Sequence, residues 1–180
     1  MTARVAGCGP GERKKNMYNY ILDLLPYKSS FRFVEEISFL DADRVVGHYT
    51  LKEDAFFYKD HFPGNPVTPG AILTEIMAQN GLVVLGIYLI AGDGASDSDS
   101  ASGRGGGRSA ASEGGLFPLF SSVNVDFYKM ALPGQRLTIT SKKDYFRFDK
   151  LKCHVELHDA SGELVAKGVF AGFLKKIVTA

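Results

Sequence analysis

The spacing of apolar residues changes along this chain, and each change marks an element. Met17, Tyr20, Ile21, Leu24 and Leu25 recur at helical intervals. With Asn16 as N-cap and Pro26 as stop, they predict a short amphipathic helix over residues 16–25 that covers an edge of something larger. The period then shortens towards two. Phe31, Phe33, Ile37 and Phe39 predict a strand broken near Glu35 and Glu36. Asp41, Ala42 and Asp43 read as a turn, and residues 45–51 as the returning strand.

After Pro69 the pattern is different again. Ile72, Leu73, Ile76, Met77, Leu82, Val83, Val84, Leu85, Ile87 and Leu89 cover nearly every direction of a helix that runs to about residue 90. A helix apolar all round is a buried one, so something must wrap it. Its longest apolar stretch, residues 82–91, is interrupted by Gly86 and falls short of the roughly 20 residues that span a bilayer. Downstream, residues 120–127 alternate partly, with Val123, Val125 and Phe127 on one face, and Pro133-Gly134 marks a turn. Strands follow at 137–148, 151–157 and 163–175, the first two joined by a tight hairpin and the last preceded by the Asp159–Gly162 turn. About six mostly antiparallel strands with helices segregated to one face make an α+β domain. A single sheet curled around the long helix explains why that helix has no polar side.

Length and composition narrow the picture. The 180 residues fit one domain, and 45% hydrophobic content supports a real core. A net charge of +1 gives no electrostatic footprint for nucleic acid. Cys8 and Cys153 form neither a disulfide framework nor a zinc-site spacing, so a reducing compartment is expected. Residues 1–15 read as a disordered tail without the apolar run of a secretory signal. No membrane span is expected, which places the protein in the cytoplasm. Residues 92–115, with eight Gly, six Ser and four Ala, read as a flexible insertion within one domain at 16–180.

The candidate chemistry lies in the segment HFPGNPVTPG at residues 61–70 and the AILTEIMAQ that follows at 71–79. Glu75 falls in the second turn of the apolar helix, where a carboxylate must pair, hydrogen-bond or change its protonation. Gln79, four residues on, shares its face. His61 sits in a stiff Pro-Gly loop and carries the side chain best suited to general-base work at neutral pH. The loop delivers Gly70 to a helix N-terminus, whose free amides can polarise a carbonyl oxygen. Base, acid and carbonyl-binding amides suit removal of a proton α to a carbonyl with loss of a β-hydroxyl. A loop histidine or a buried glutamate alone is more often structural; the pair, with two X-Pro-Gly elements at fixed spacing between them, favours chemistry. His48, His154 and His158 lie on predicted strands and read as structural or surface groups, and Lys59 and Asp60 as solvated loop charges.

These two segments resemble the signature of 3-hydroxyacyl-acyl-carrier-protein dehydratases of the FabZ type. Residues 21–26 (ILDLLP) are similar to that family's first helix, and 123–134 (VNVDFYKMALPG) to its strand leading into a Pro-Gly turn. The resemblance implies a hotdog fold, an antiparallel sheet around a long central helix. It implies a homodimer with shared active sites, His61 from one subunit and Glu75 from the other, with hexamers or heteromers left open. His61 would take the C2 proton of a (3R)-3-hydroxyacyl thioester, giving the trans-2-enoyl product in fatty-acid or specialised lipid or polyene synthesis. Glu75 would donate to the departing hydroxyl or hold the water, and Gly70, with Ala71, would bind the thioester carbonyl. Gln79 would orient Glu75, and the Val67 carbonyl would orient His61. No metal or organic cofactor is implied. Glutamate rather than aspartate at 75 favours the dehydratase over the related type that also isomerises the double bond. The chain departs from the family at Asp60, at residues 33–36 and in the insertion. Acyl carrier protein, the implied partner, is acidic, so Lys129, Arg136, Lys142, Lys143, Arg147, Lys150 and Lys152 are docking candidates. The alternatives are a non-catalytic acyl-binding subunit of this fold and a CoA-linked hydratase or thioesterase.

Overall fold

A computed structural model describes residues 18–92 and 116–176. The expected tail, the Asn16 cap and nearly all of the 92–115 insertion lie outside the described residues. Helix α1 (Asn19–Asp23) is shorter than the spacing predicts and is capped by no side chain. The strands are β1 (Glu36–Leu40), β2 (Arg44–Thr50), β3 (Leu116–Phe127), β4 (Arg136–Arg147), β5 (Lys150–His158) and β6 (Leu164–Lys176). They form one six-stranded sheet in the order β1-β2-β4-β5-β6-β3, and every neighbouring pair is antiparallel. This is the expected α+β architecture.

The central helix runs from Gly70 through Gly92 in three parts, α2 (Gly70–Ala78), a π turn (Gln79–Val83) and α3 (Val84–Gly92). Residues 76–87 are all buried. The 22-residue stretch Gly70–Ala91 is long and apolar enough to cross a membrane, unlike the shorter run counted from sequence, but 72% of its most apolar window is covered by its own domain. The sheet supplies that cover. Leu137 and Ile139 of β4, Leu151, Val155 and Leu157 of β5, and Phe170 of β6 alternate inward onto the helix with essentially no exposure.

Close approach depends on two small positions. A Cβ at Gly81 would lie 2.8 Å from Val155 Cγ2, and one at Gly86 2.5 Å from Leu174 Cδ1. Alanine at 81 would add about 1 kcal/mol of helix propensity. It would also press on a β-branched side chain with little rotamer freedom, and overpacking typically costs about 1–3 kcal/mol. The clash wins, so Gly81→Ala lowers the denaturation midpoint at unchanged m-value.

Residues 31–35 are not strand, against the Phe31/Phe33 alternation. The backbone around Phe33 is bonded by side chains of the central helix instead of a neighbouring strand. Phe33 N–H donates to Gln79 Oε1 at 2.8 Å, and Phe33 C=O accepts from Asn80 Nδ2 at 2.8 Å. The hairpin between β4 and β5 is as tight as expected, with Phe148 and Asp149 both at positive φ (51° and 58°).

Candidate active site

A short 3-10 helix (Phe56–Lys59), absent from the sequence reading, leads into the His61 loop. His61 N–H donates to Phe57 C=O at 3.0 Å, and the loop's far end is tied to the segment after β3 by Thr68 N–H to Ala131 C=O at 2.8 Å. The buried Tyr58 hydroxyl meets Thr68 Oγ1 at 2.6 Å. Between these anchors Asn65 N–H closes onto Phe62 C=O at 2.8 Å, with Pro63 and Gly64 (φ 82°) at the two central positions. Proline then glycine at positive φ is the chemistry a type II turn demands. Phe62 itself is held at φ 59°. A bulky residue there costs about 1–3 kcal/mol, and such strain collects where a side chain must be aimed.

The aimed side chain is His61. Its Nδ1 lies 2.9 Å from the Val67 carbonyl oxygen, which can only accept. Nδ1 therefore carries a proton, and in the neutral ring Nε2 has the lone pair. His61, Val67 and Gly70 line one open cleft of about 440 Å³ with Leu73, Phe127 and Lys129. The helix begins beside it. Pro69 C=O accepts from Ile72 and Leu73 at 2.9 and 3.1 Å, while the Gly70 and Ala71 amides have no acceptor among the described residues. The Phe127 ring lies over Gly70, where an added Cβ would be 3.2 Å from Cζ.

Glu75 and Gln79 do not line this cleft, nor does Ala71. Five residues along a helix rotate a side chain by roughly 500°, about 140° from the starting direction, so Glu75 faces elsewhere. It is half-buried rather than fully buried. Gln79, fully buried, donates through Nε2 to Glu75 Oε1 at 2.8 Å and to Phe31 C=O at 2.9 Å. The sequence reading missed Tyr27. Burial, and then the charge of Glu75, push its phenol well above the ordinary range, so it is a neutral donor near the carboxylate. Its position depends on the fold of residues 26–33, and no local pattern signals it.

Most of the basic candidates are occupied. Lys129 pairs with Asp159 and Glu163, Arg136 with Glu36, Lys143 with Asp43 and Lys152 with Asp144. Lys129 and then Ser161 hold the Asp159 carboxyl well below the usual carboxylate range. Lys142, Arg147 and Lys150 make no ion pair among the described residues.

The sheet around a buried helix, with a histidine loop feeding its N-terminus, defines the hotdog class. The chain belongs to the FabA-like domain family, whose model matches residues 25–147. It is 29% identical over 151 residues, 82% of this chain and 85% of the relative, to a 3-hydroxyacyl-[acyl-carrier-protein] dehydratase FabZ of Xanthomonas campestris pv. campestris. A shorter match, 41% identical over 68 residues, is to the bifunctional enzyme LpxC/FabZ of Porphyromonas gingivalis, covering 37% of this chain and 15% of that one. Among solved structures it resembles the dehydratase heterocomplex ApeI:P of Xenorhabdus doucetiae (TM-score 0.64, 14% identity, 86% and 90% of the chains). It also resembles zebrafish thioesterase superfamily member 2 (TM-score 0.56, 14% identity, 88% and 94%). Both structural likenesses speak for the fold alone. The FabZ-type resemblance and the hotdog expectation are borne out.

Proposed function

We propose that this protein removes water from a 3-hydroxyacyl chain carried as a thioester on acyl carrier protein. The observation that carries the reading is His61, fixed by Val67 and sharing a cleft with Gly70, the first residue of the central helix. His61 Nε2 takes the C2 proton. The negative charge moves onto the thioester oxygen, where Gly70 N–H receives it. The charge then returns from the thioester oxygen as the C3–O bond breaks and Glu75, acting in its protonated form, gives its proton to the leaving hydroxyl. Water and the 2-enoyl thioester result, and the proton held by His61 passes back to Glu75 through solvent before the next turnover. Gln79 holds Glu75 in place for that transfer.

Support for a shared site comes from the geometry of one chain. Glu75 faces away from the His61 cleft, and that cleft opens beside β3, an edge of the sheet. β3 exposes Phe117, Leu119, Phe120, Val123 and Phe127, each 44–52% accessible. A long apolar edge with unpaired backbone groups invites another strand. A second copy pairing antiparallel about a two-fold would cover that edge and bring the partner's Glu75 to this cleft. A carrier-bound substrate and a central helix buried in its own domain favour a soluble, cytoplasmic enzyme.

The experiment feeds purified protein 3-hydroxyacyl carriers of several chain lengths and follows loss of water by mass. Turnover is expected, with a length preference set by the apolar space beside the helix. Release of free acid without enoyl product would instead favour the thioesterase reading.

A further inference from the structure

The π turn brings Gln79 and Asn80 onto one task. In a regular helix adjacent side chains point about 100° apart and do not share partners. Here both reach the backbone of Phe33. Gln79 Oε1 accepts from its N–H at 2.8 Å, and Asn80 Nδ2 donates to its C=O at 2.8 Å and to Ile76 C=O at 2.8 Å. π turns inside helices recur at functional sites, and this one sits four residues past Glu75.

Asn80 occupies its place at a disadvantage. It is fully buried, and its Oδ1 has no hydrogen-bond partner among the described residues. A buried acceptor left unmatched is destabilising relative to an apolar group of the same shape. Gly47 of β2 makes the room, since a Cβ there would lie 2.4 Å from Asn80 Oδ1. What Asn80 obtains is the fixing of Phe33, which no neighbouring strand provides.

From this geometry we infer that Asn80, seated against Gly47, is a positioning residue for Glu75. The chain of contacts is short. Asn80 holds the Phe33 carbonyl, and so residues 31–33 are held against the helix. Phe33 N–H and Phe31 C=O in turn fix both ends of the Gln79 amide, and the Gln79 amide donates to Glu75 Oε1 at 2.8 Å. Asn80 touches neither substrate nor Glu75. The inference rests on the reading of Glu75 as the acid.

The test uses the purified protein and a 3-hydroxyacyl carrier substrate. Asn80→Leu keeps the shape and removes the orphaned oxygen, but it also takes the donor from the Phe33 and Ile76 carbonyls, so a lower denaturation midpoint with an unchanged far-UV spectrum is expected. Its kcat is expected to fall by about tenfold to a hundredfold, the scale of a small misplacement of a reacting group, with KM within about twofold. Gln79→Ala acts through the same link, so the double variant should lose little more than the worse single one. Asn80→Ala serves as the second variant should leucine not be accommodated. A kcat within twofold of wild type in these variants, or losses that multiply with Gln79→Ala, would overturn the inference. Glu75→Gln, measured alongside, separates the two failures: its retained turnover sinks the acid assignment, whereas its silence beside a fully active Asn80→Leu sinks only the role of Asn80.

Discussion

Replacing His61 with alanine lowers dehydration by about 10²–10⁴-fold, the range typical of losing a positioned acid or base, and leaves the fold intact. The imidazole is partly exposed, and its contacts are one hydrogen bond to Val67 and a ring contact with Phe62. The loop keeps its other anchors, Tyr58 to Thr68 and Thr68 to Ala131. Glu75→Gln is expected to cost a similar factor, since glutamine keeps the size and the bond to Gln79 but cannot give up the proton. The two silent variants should rescue each other. In the proposed dimer with shared sites, random exchange of subunits would make half of the dimers mixed, each with one site holding both residues intact, so a return of about a quarter of wild-type activity is expected. A mixture that stays silent while subunits demonstrably exchange would place both residues within one chain and remove the shared site.

How far the sequence reached follows from where each hydrogen bond goes. Strands β2 to β6 were legible because their partners are other strands, and period-two alternation records that directly. The central helix was legible from its lack of a polar face. Residues 31–35 looked like strand because Phe31 and Phe33 alternate, yet the backbone at Phe33 is bonded by Gln79 and Asn80, residues 46 and 47 positions away. The π turn left no trace, because Gln79, Asn80 and Gly81 interrupt the apolar pattern where the extra residue enters, so no period records it. His61, Glu75 and Gly70 were legible as residue types at a spacing. Their division between a cleft and an opposite helix face was not, because it depends on where the loop and β3 come to rest. The pairing within the basic cluster was illegible for a related reason. Lys129, Arg136 and Lys143 meet carboxylates 30 to 100 positions distant in sequence, and only the sheet registers bring them together.

Val123→Lys is expected to split the proposed β3-to-β3 dimer and abolish turnover while His61, Glu75 and the core of each chain stay as they are. Val123 is 48% exposed on β3, an edge strand of the sheet, and its register partner on β6 is Phe170. A lysine there leaves the β3–β6 ladder untouched, because the backbone still donates and accepts. In a two-fold interface the change enters twice, so two ammonium groups replace two apolar contacts along a self-complementary edge. Natural sheets use edge lysines to prevent this kind of pairing. The expected result by size-exclusion with light scattering is a shift to monomer mass, with an unchanged far-UV spectrum. Turnover should vanish with the dimer, since among the described residues no carboxylic acid lines the His61 cleft of one chain. Raising the protein concentration should restore both together if some affinity survives. A monomer that turns over at the wild-type rate would mean that a single chain completes its own site. An unshifted dimer would move the interface away from β3.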